Sequence, residues 1–161
     1  MIVVADTSVI LNLGRIQHEV LLKQLFKRVL IPAQVSAEFT RLSVVEPRFV
    51  GLALSEWIEI LPVPQPFPLE IIQANLDVGE SAALALCLVE RADALLIDES
   101  LGREVAARLG VRTIGILGVL IEARRRQLIP KVATLLERLE KEAGFWVAPS
   151  LRQRVLQLAN E

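Results

Sequence analysis

The chain has 161 residues, 53% of them apolar, with a mean hydropathy of +0.48 and a net charge of −1. That length suits one domain with a sizeable core, and no apolar run reaches the roughly 18 to 20 residues that cross a membrane. Near-neutral charge removes any strong overall pull toward nucleic acid or lipid, and the lone Cys87 excludes a disulfide framework or a thiolate metal site.

The start lacks a basic flank and carries Asp6 within its apolar run, so it does not read as a signal peptide. A cytoplasmic protein whose apolar surplus marks a subunit interface is the plain expectation. In chain order, Ile2 to Ala5 reads as a strand and Ser8 to Gly14 as a helix with Gly14 as its breaker. Glu19 to Arg28 is helical, with Val20, Leu21 and Leu25 near one face, and Val29 to Ile31 is a short strand stopped by Pro32. Pro32 to Leu42 is a helix with proline in its first turn, where the missing N–H does no harm. Pro47 to Glu56 reads as another helix and Trp57 to Val63 as a strand. Pro62, Pro64, Pro66 and Pro68 then form a stiff extended connector.

After a short helix near Leu69 to Leu76, Gly79 opens the strong helical run ESAALALCLVERA. Ala94 to Ile97 is a strand ending on Asp98, Leu101 to Leu109 a helix closed by Gly110, and Val111 to Ile114 a strand. Helices follow at Gly118 to Gln127 and Pro130 to Glu142, then a short extended piece from Phe145 and one more amphipathic helix. The run Glu122-Ala123-Arg124-Arg125-Arg126, with the later Arg152 and Arg154, reads as a solvated helix face. His18 reads as an exposed histidine and Cys87 as core. FWVAPSLRQRVL, an aromatic pair followed by basic residues, reads as an interface, an RNA-contacting flap or plain packing, and packing is favoured because Phe145 and Trp146 supply the large apolar area that buried residues usually supply.

Strands alternating with helices predict a three-layer α/β/α fold around a parallel sheet. Ligands in such sheets bind beyond the carboxyl ends of the strands, where the strand order reverses. Asp6 and Asp98 both stand at such ends. Glu38 sits between Val35 and Phe39 on an apolar helix face, and Glu80 shares a face with Ala83, Leu84 and Cys87. A carboxylate on an apolar stripe is rarely buried unless its charge is compensated, and neither face shows a basic neighbour. Duller readings exist for each: Asp6 and Asp98 as caps of the helices that follow, Glu80 as an acid favoured by a helix dipole, Glu38 at the rim of the core. Brought together, the four repel and must protonate or hold a cation. An oxygen-only set favours Mg²⁺ or Mn²⁺, and such an ion suits phosphodiester hydrolysis.

With these residues in place, positions 1–130 resemble a PIN domain, the nuclease module of VapC-type toxins, and 131–161 would be a C-terminal helical extension packed on the same domain. VADTSVIL is similar to the family's first acidic motif, PAQVSAEF to its second at Glu38, and LDVGESAALAL to its third at Glu80. LLIDESLGREVA followed by GVRTIGILGVL resembles the fourth, at Asp98, in the form of an uncharacterised prokaryotic branch. The resemblance implies a metal-dependent endoribonuclease in which Asp6, Glu38, Glu80 and Asp98 hold one or two Mg²⁺ or Mn²⁺ ions. Water activated there would attack phosphorus and leave a 5′-phosphate and a 3′-hydroxyl. Thr7, Ser8 and Thr113 would hold the acids or a water by hydrogen bonds. Apart from the resemblance, Arg103 in LGREV reads as a solvated helix residue, with contact to a substrate phosphate near Asp98 as its functional alternative. The resemblance also implies a homodimer and a small antitoxin protein as partners, besides the RNA substrate.

Two other α/β readings fail on residues. A haloacid-dehalogenase phosphatase needs a second Asp two positions after the first, where Ser8 stands, and a response-regulator receiver needs paired acids after its first strand. A PIN fold kept as a non-catalytic binding module is the remaining alternative.

Overall fold

A computed structural model describes all 161 residues. Five strands, β1 (Ile2–Ala5), β2 (Arg28–Pro32), β3 (Glu59–Leu61), β4 (Ala94–Leu96) and β5 (Thr113–Ile114), form one sheet in the order β3-β2-β1-β4-β5. Every pairing is parallel. The inner strands are apolar on both faces because both are covered: Val3, Val4, Ala5, Leu30, Ile31, Leu95 and Leu96 are fully buried. All five expected strands are present, with β3 and β5 shorter than the apolar runs that announce them.

The helices are α1 (Thr7–Arg15), α2 (Val20–Leu25), α3 (Ala33–Val45), α4 (Leu69–Gln73), α5 (Val78–Val89), α6 (Ser100–Arg108), α7 (Ile116–Arg125), α8 (Val132–Arg138) and α9 (Pro149–Leu158). They sandwich the sheet in a three-layer α/β/α arrangement. Helix α5 lies on β1 and β2 with α3 beside it, while α7 packs on β5 and is flanked by α2, α8 and α9. A single π turn, Leu139–Ala143, continues α8 and rests on α1.

The expected helix over 47–56 does not form. Glu46 N–H already closes α3, turns follow at Phe49 and Leu52, and Gly51 adopts φ +86°, a left-handed conformation that no helix interior accepts. Phe49 alone is buried there, with Leu52 and Leu54 packed partly against the core and Arg48 Nη1 donating to the Ala143 carbonyl at 3.0 Å. Gly14 is not a breaker: α1 runs through it to Arg15, and a Cβ there would meet the Leu52 side chain at 3.5 Å. His18 lies in the loop after α1, half-buried, with Nδ1 2.6 Å from the Ile16 carbonyl oxygen, and so is not the exposed helical residue expected.

Candidate active site

Parallel strands end on the same side, so Asp6 and Asp98 emerge beyond the same edge of the sheet. Ala5 pairs with Leu96, and Asp6 N–H donates to the Leu96 carbonyl at 2.9 Å. Ile97 N–H donates to Ile114 at 3.1 Å, carrying the β4 ladder to the residue before Asp98. After β1 the chain moves first to β2 on one side and later to β4 on the other, which makes this the switch point of the sheet.

Asp6 occupies the N-cap position of α1 with extended backbone, yet its carboxylate makes no capping bond into the helix, and it is only 5% exposed. Asp98 does cap a helix, but not the next one. Its Oδ1 accepts from Ile116 N–H at 3.0 Å, at the start of α7, while Oδ2 is buried without a partner. Gly115 makes this approach possible, because a Cβ there would lie 2.8 Å from Asp98 Oδ1 and 2.9 Å from Arg103 Nη1. Arg103 in turn donates to the Ile97 carbonyl at 3.1 Å.

Glu80 stands in the first turn of α5 and is 7% exposed. Its Oε2 lies 3.8 Å from where a Cβ of Gly102 would be, so α5 and α6 approach across it. Glu38, between buried Val35 and Phe39 on α3, is half-buried, and its Oε2 lies 2.5 Å from where a Cβ of Gly79 would be. The glycine before Glu80 therefore leaves room for the glutamate from the neighbouring helix.

Asp6 is the electrostatic hub of the four acids. Burial pushes Asp6 up to about 7; Thr7 N–H opposes this, while the charges of Asp77, Glu38 and Asp98 add to it. Glu80 is pushed up to about 8 by burial, then by Asp77, Asp6 and Glu99. Glu38 is raised by burial and Asp77, and Asp98 by burial against the pull of Ile116 N–H and Arg103. Arg41, one turn along α3, partly offsets Glu38, which corrects the expectation that no basic residue neighbours it. The Thr7 hydroxyl also faces Glu38, but without forming a full hydrogen bond; Thr7 Oγ1 and Ser8 Oγ are both buried with no partner. No three of these side chains close on one point as a finished metal cage.

Asp77 was missed by sequence reasoning. Its Oδ1 accepts from Glu80 N–H at 2.8 Å, capping α5, and its charge acts on Asp6, Glu38 and Glu80. The available signal was its place three residues before Glu80, a capping position, which gives no hint that it also faces the pocket.

A hollow of about 1020 Å³ is lined by Asp98 but by none of Asp6, Glu38 and Glu80, so it lies to one side of the acid set. It begins at Asp98, Glu99 and Arg103, follows Thr113 to Gly115 along β5, and ends among Arg112, Arg125 and Trp146. Thr113 thus lines this groove. Cys87 is core as expected, its thiol pushed up to about 11 by burial. Phe145 is half-buried against the core, but Trp146 is 76% exposed and packs on little, contrary to the expectation for the pair.

A family model described as a PIN domain matches residues 2–161. No curated protein matches the chain.

Proposed function

The chain belongs to the PIN-domain family, whose members are in general nucleases, and from that premise we propose that it is a Mg²⁺- or Mn²⁺-dependent endoribonuclease. The observation that carries this reading is the gathering of acids around Asp6 at the switch point of a parallel sheet: the charges of Glu38 and Asp98 act on Asp6 and that of Asp6 acts on Glu80, against only Arg41 beside Glu38 and Arg103 beside Asp98. Burying Asp6 and Glu80 beside two half-buried carboxylates is unfavourable in their charged forms without a compensating cation. The donors fit such an ion: they are all oxygen, Asp98 Oδ2 is buried and unsatisfied, and the Thr7 and Ser8 hydroxyls are free to orient a carboxylate or a water.

Asp6, Glu38, Glu80 and Asp98 would hold the ion. When bound, it would polarise the phosphate and acidify a water. Asp77 holds the start of α5, and with it Glu80, in position. Ile116 N–H and Gly115 fix the direction of Asp98. Arg103, beside Asp98, offers a guanidinium to a substrate phosphate. The VapC-type toxin role, with a homodimer and a small antitoxin, extends this reading and is tested by whether a co-expressed small neighbour relieves toxicity.

The test of the core proposal is cleavage of a structured RNA by wild type and Asp6→Asn with Mg²⁺, with Mn²⁺ and with EDTA. Metal-dependent cleavage lost by a hundredfold or more in the variant is expected. A wild type as idle as the variant at high enzyme concentration would leave the fold as a binding module.

A further inference from the structure

Building on the nuclease reading, we propose that the groove between β5, α7 and the segment from Phe145 to Leu151 binds a single-stranded RNA track, with Trp146 as the platform on which one base stacks. Trp146 is the most exposed large apolar residue of the chain, at 76%, although its neighbours are fixed. Phe145 N–H donates to the Leu139 carbonyl at 3.0 Å and its ring packs on the core, while Val147 is buried. Arg152 Nη1 holds Glu140 at 2.9 Å, tying α9 back to the π turn. The indole is thus presented outward from an anchored segment, which lowers the ordering cost of stacking.

The charge along the groove favours a polyanion over a protein partner. Arg103 and Arg112 form no ion pair, and Arg125 and Arg126 share the single carboxylate of Glu122, at 2.6 and 2.7 Å. Beyond Asp98 and Glu99 the lining therefore carries four arginines against one glutamate. The chain as a whole is at −1 and its acid pocket repels phosphate, so a local basic run leading to Asp98 is what would bring a phosphodiester there. An aromatic face among arginines is the recurring solution for single strands, since every base has a π face to offer.

The test uses the full chain in EDTA, so that binding is read without cleavage, and a fluorescent short single-stranded RNA of mixed sequence as probe. Trp146→Ala is expected to weaken binding about five- to a hundredfold, and Arg112→Ala to reduce the salt dependence by about one counterion. Trp57→Phe leaves Trp146 as the only indole, because the chain has two tryptophans; its fluorescence should be quenched by the strand and not by the matching duplex. Unchanged affinity in Trp146→Ala overturns the proposal. So does a monomer–dimer equilibrium that shifts with Trp146→Ala, which would make this face a contact between copies. Trp146-dependent binding by a chain that never cleaves would refute the nuclease reading and leave the groove standing, whereas metal-dependent cleavage with Trp146-independent binding would do the reverse.

Discussion

Replacing Asp6 by asparagine should stabilise the protein while removing its proposed chemistry. The carboxyl is 5% exposed and its pKa rises from 3.8 to about 7. Near pH 4 the folded chain holds the proton and the unfolded chain has released only about half of it, so little of the cost is yet present. As pH climbs toward 7 the unfolded chain releases its proton first, so stability is lost over that window and the loss levels off above it. At 1.36 kcal/mol for each tenfold of proton affinity, the full cost is about 4 kcal/mol. Asp77, Glu38 and Asp98 share that charge problem, and the asparagine amide can donate to them, so roughly half is a safer expectation. In EDTA at pH 8, Asp6→Asn should therefore melt about 4 to 8 °C above wild type, and at pH 4 the two should nearly coincide. Circular-dichroism melts at both pH values decide it, and adding saturating Mn²⁺ should reverse the order by stabilising wild type alone. A variant that melts at or below wild type at pH 8 without metal, or with the same offset at pH 4, would refute the reasoning about this pocket.

Four further outcomes are expected. Calorimetry in buffers of different ionisation heat should show Mn²⁺ binding that releases protons and tightens as pH rises toward 8, because Asp6 and Glu80 must give up protons held to about 7 and 8; binding with no proton release would contradict this. In Gly79→Ala the new Cβ meets Glu38 Oε2 at 2.5 Å, so the carboxylate must swing away; cleavage should drop about tenfold or more on the same 1.4 kcal/mol-per-decade scale, while the melting point barely moves. Gly102→Ala instead meets Ile97 Cδ1 at 2.5 Å in the core, and urea denaturation should register an overpacking loss of about 1 to 3 kcal/mol. Cys87, with its thiol at about 11, should react with thiol reagents only as fast as the chain opens, and rapid labelling of the native protein would show the core to be looser than described.

How much of this was legible in sequence depended on whether local pattern decided the outcome. The apolar runs at Ile2, Arg28 and Ala94 became strands because covered parallel strands need no alternation, and such a run is recognisable alone. The segment 47–56 misled because its proline start imitates a helix N-terminus, while the decisive feature, a left-handed Gly51, leaves no trace in composition. The acids stood out by being misplaced: a glutamate between Val35 and Phe39 is conspicuous on any helix. Asp77 did not, since an aspartate before a helix has an ordinary explanation as a cap. Whether Asp98 caps α6 or α7 was likewise hidden, because its partner, Ile116, is brought to it only by the β4–β5 pairing. For Trp146 the sequence left an outward-facing role open beside the favoured packing: aromatic side chains usually go inside, and only the packing of its neighbours shows that this one stays out.

The central position of β1 has a consequence for how the chain is made. Val3 waits for Ala94 to complete its pairing, and Asp98 is aimed only once Ile116 has arrived. A ribosome extending this polypeptide thus displays Asp6 through most of elongation before a matching far wall exists. On the nuclease reading proposed above, the acid set therefore stays incomplete until the chain has been extended through Ile116 and β4 and β5 have paired.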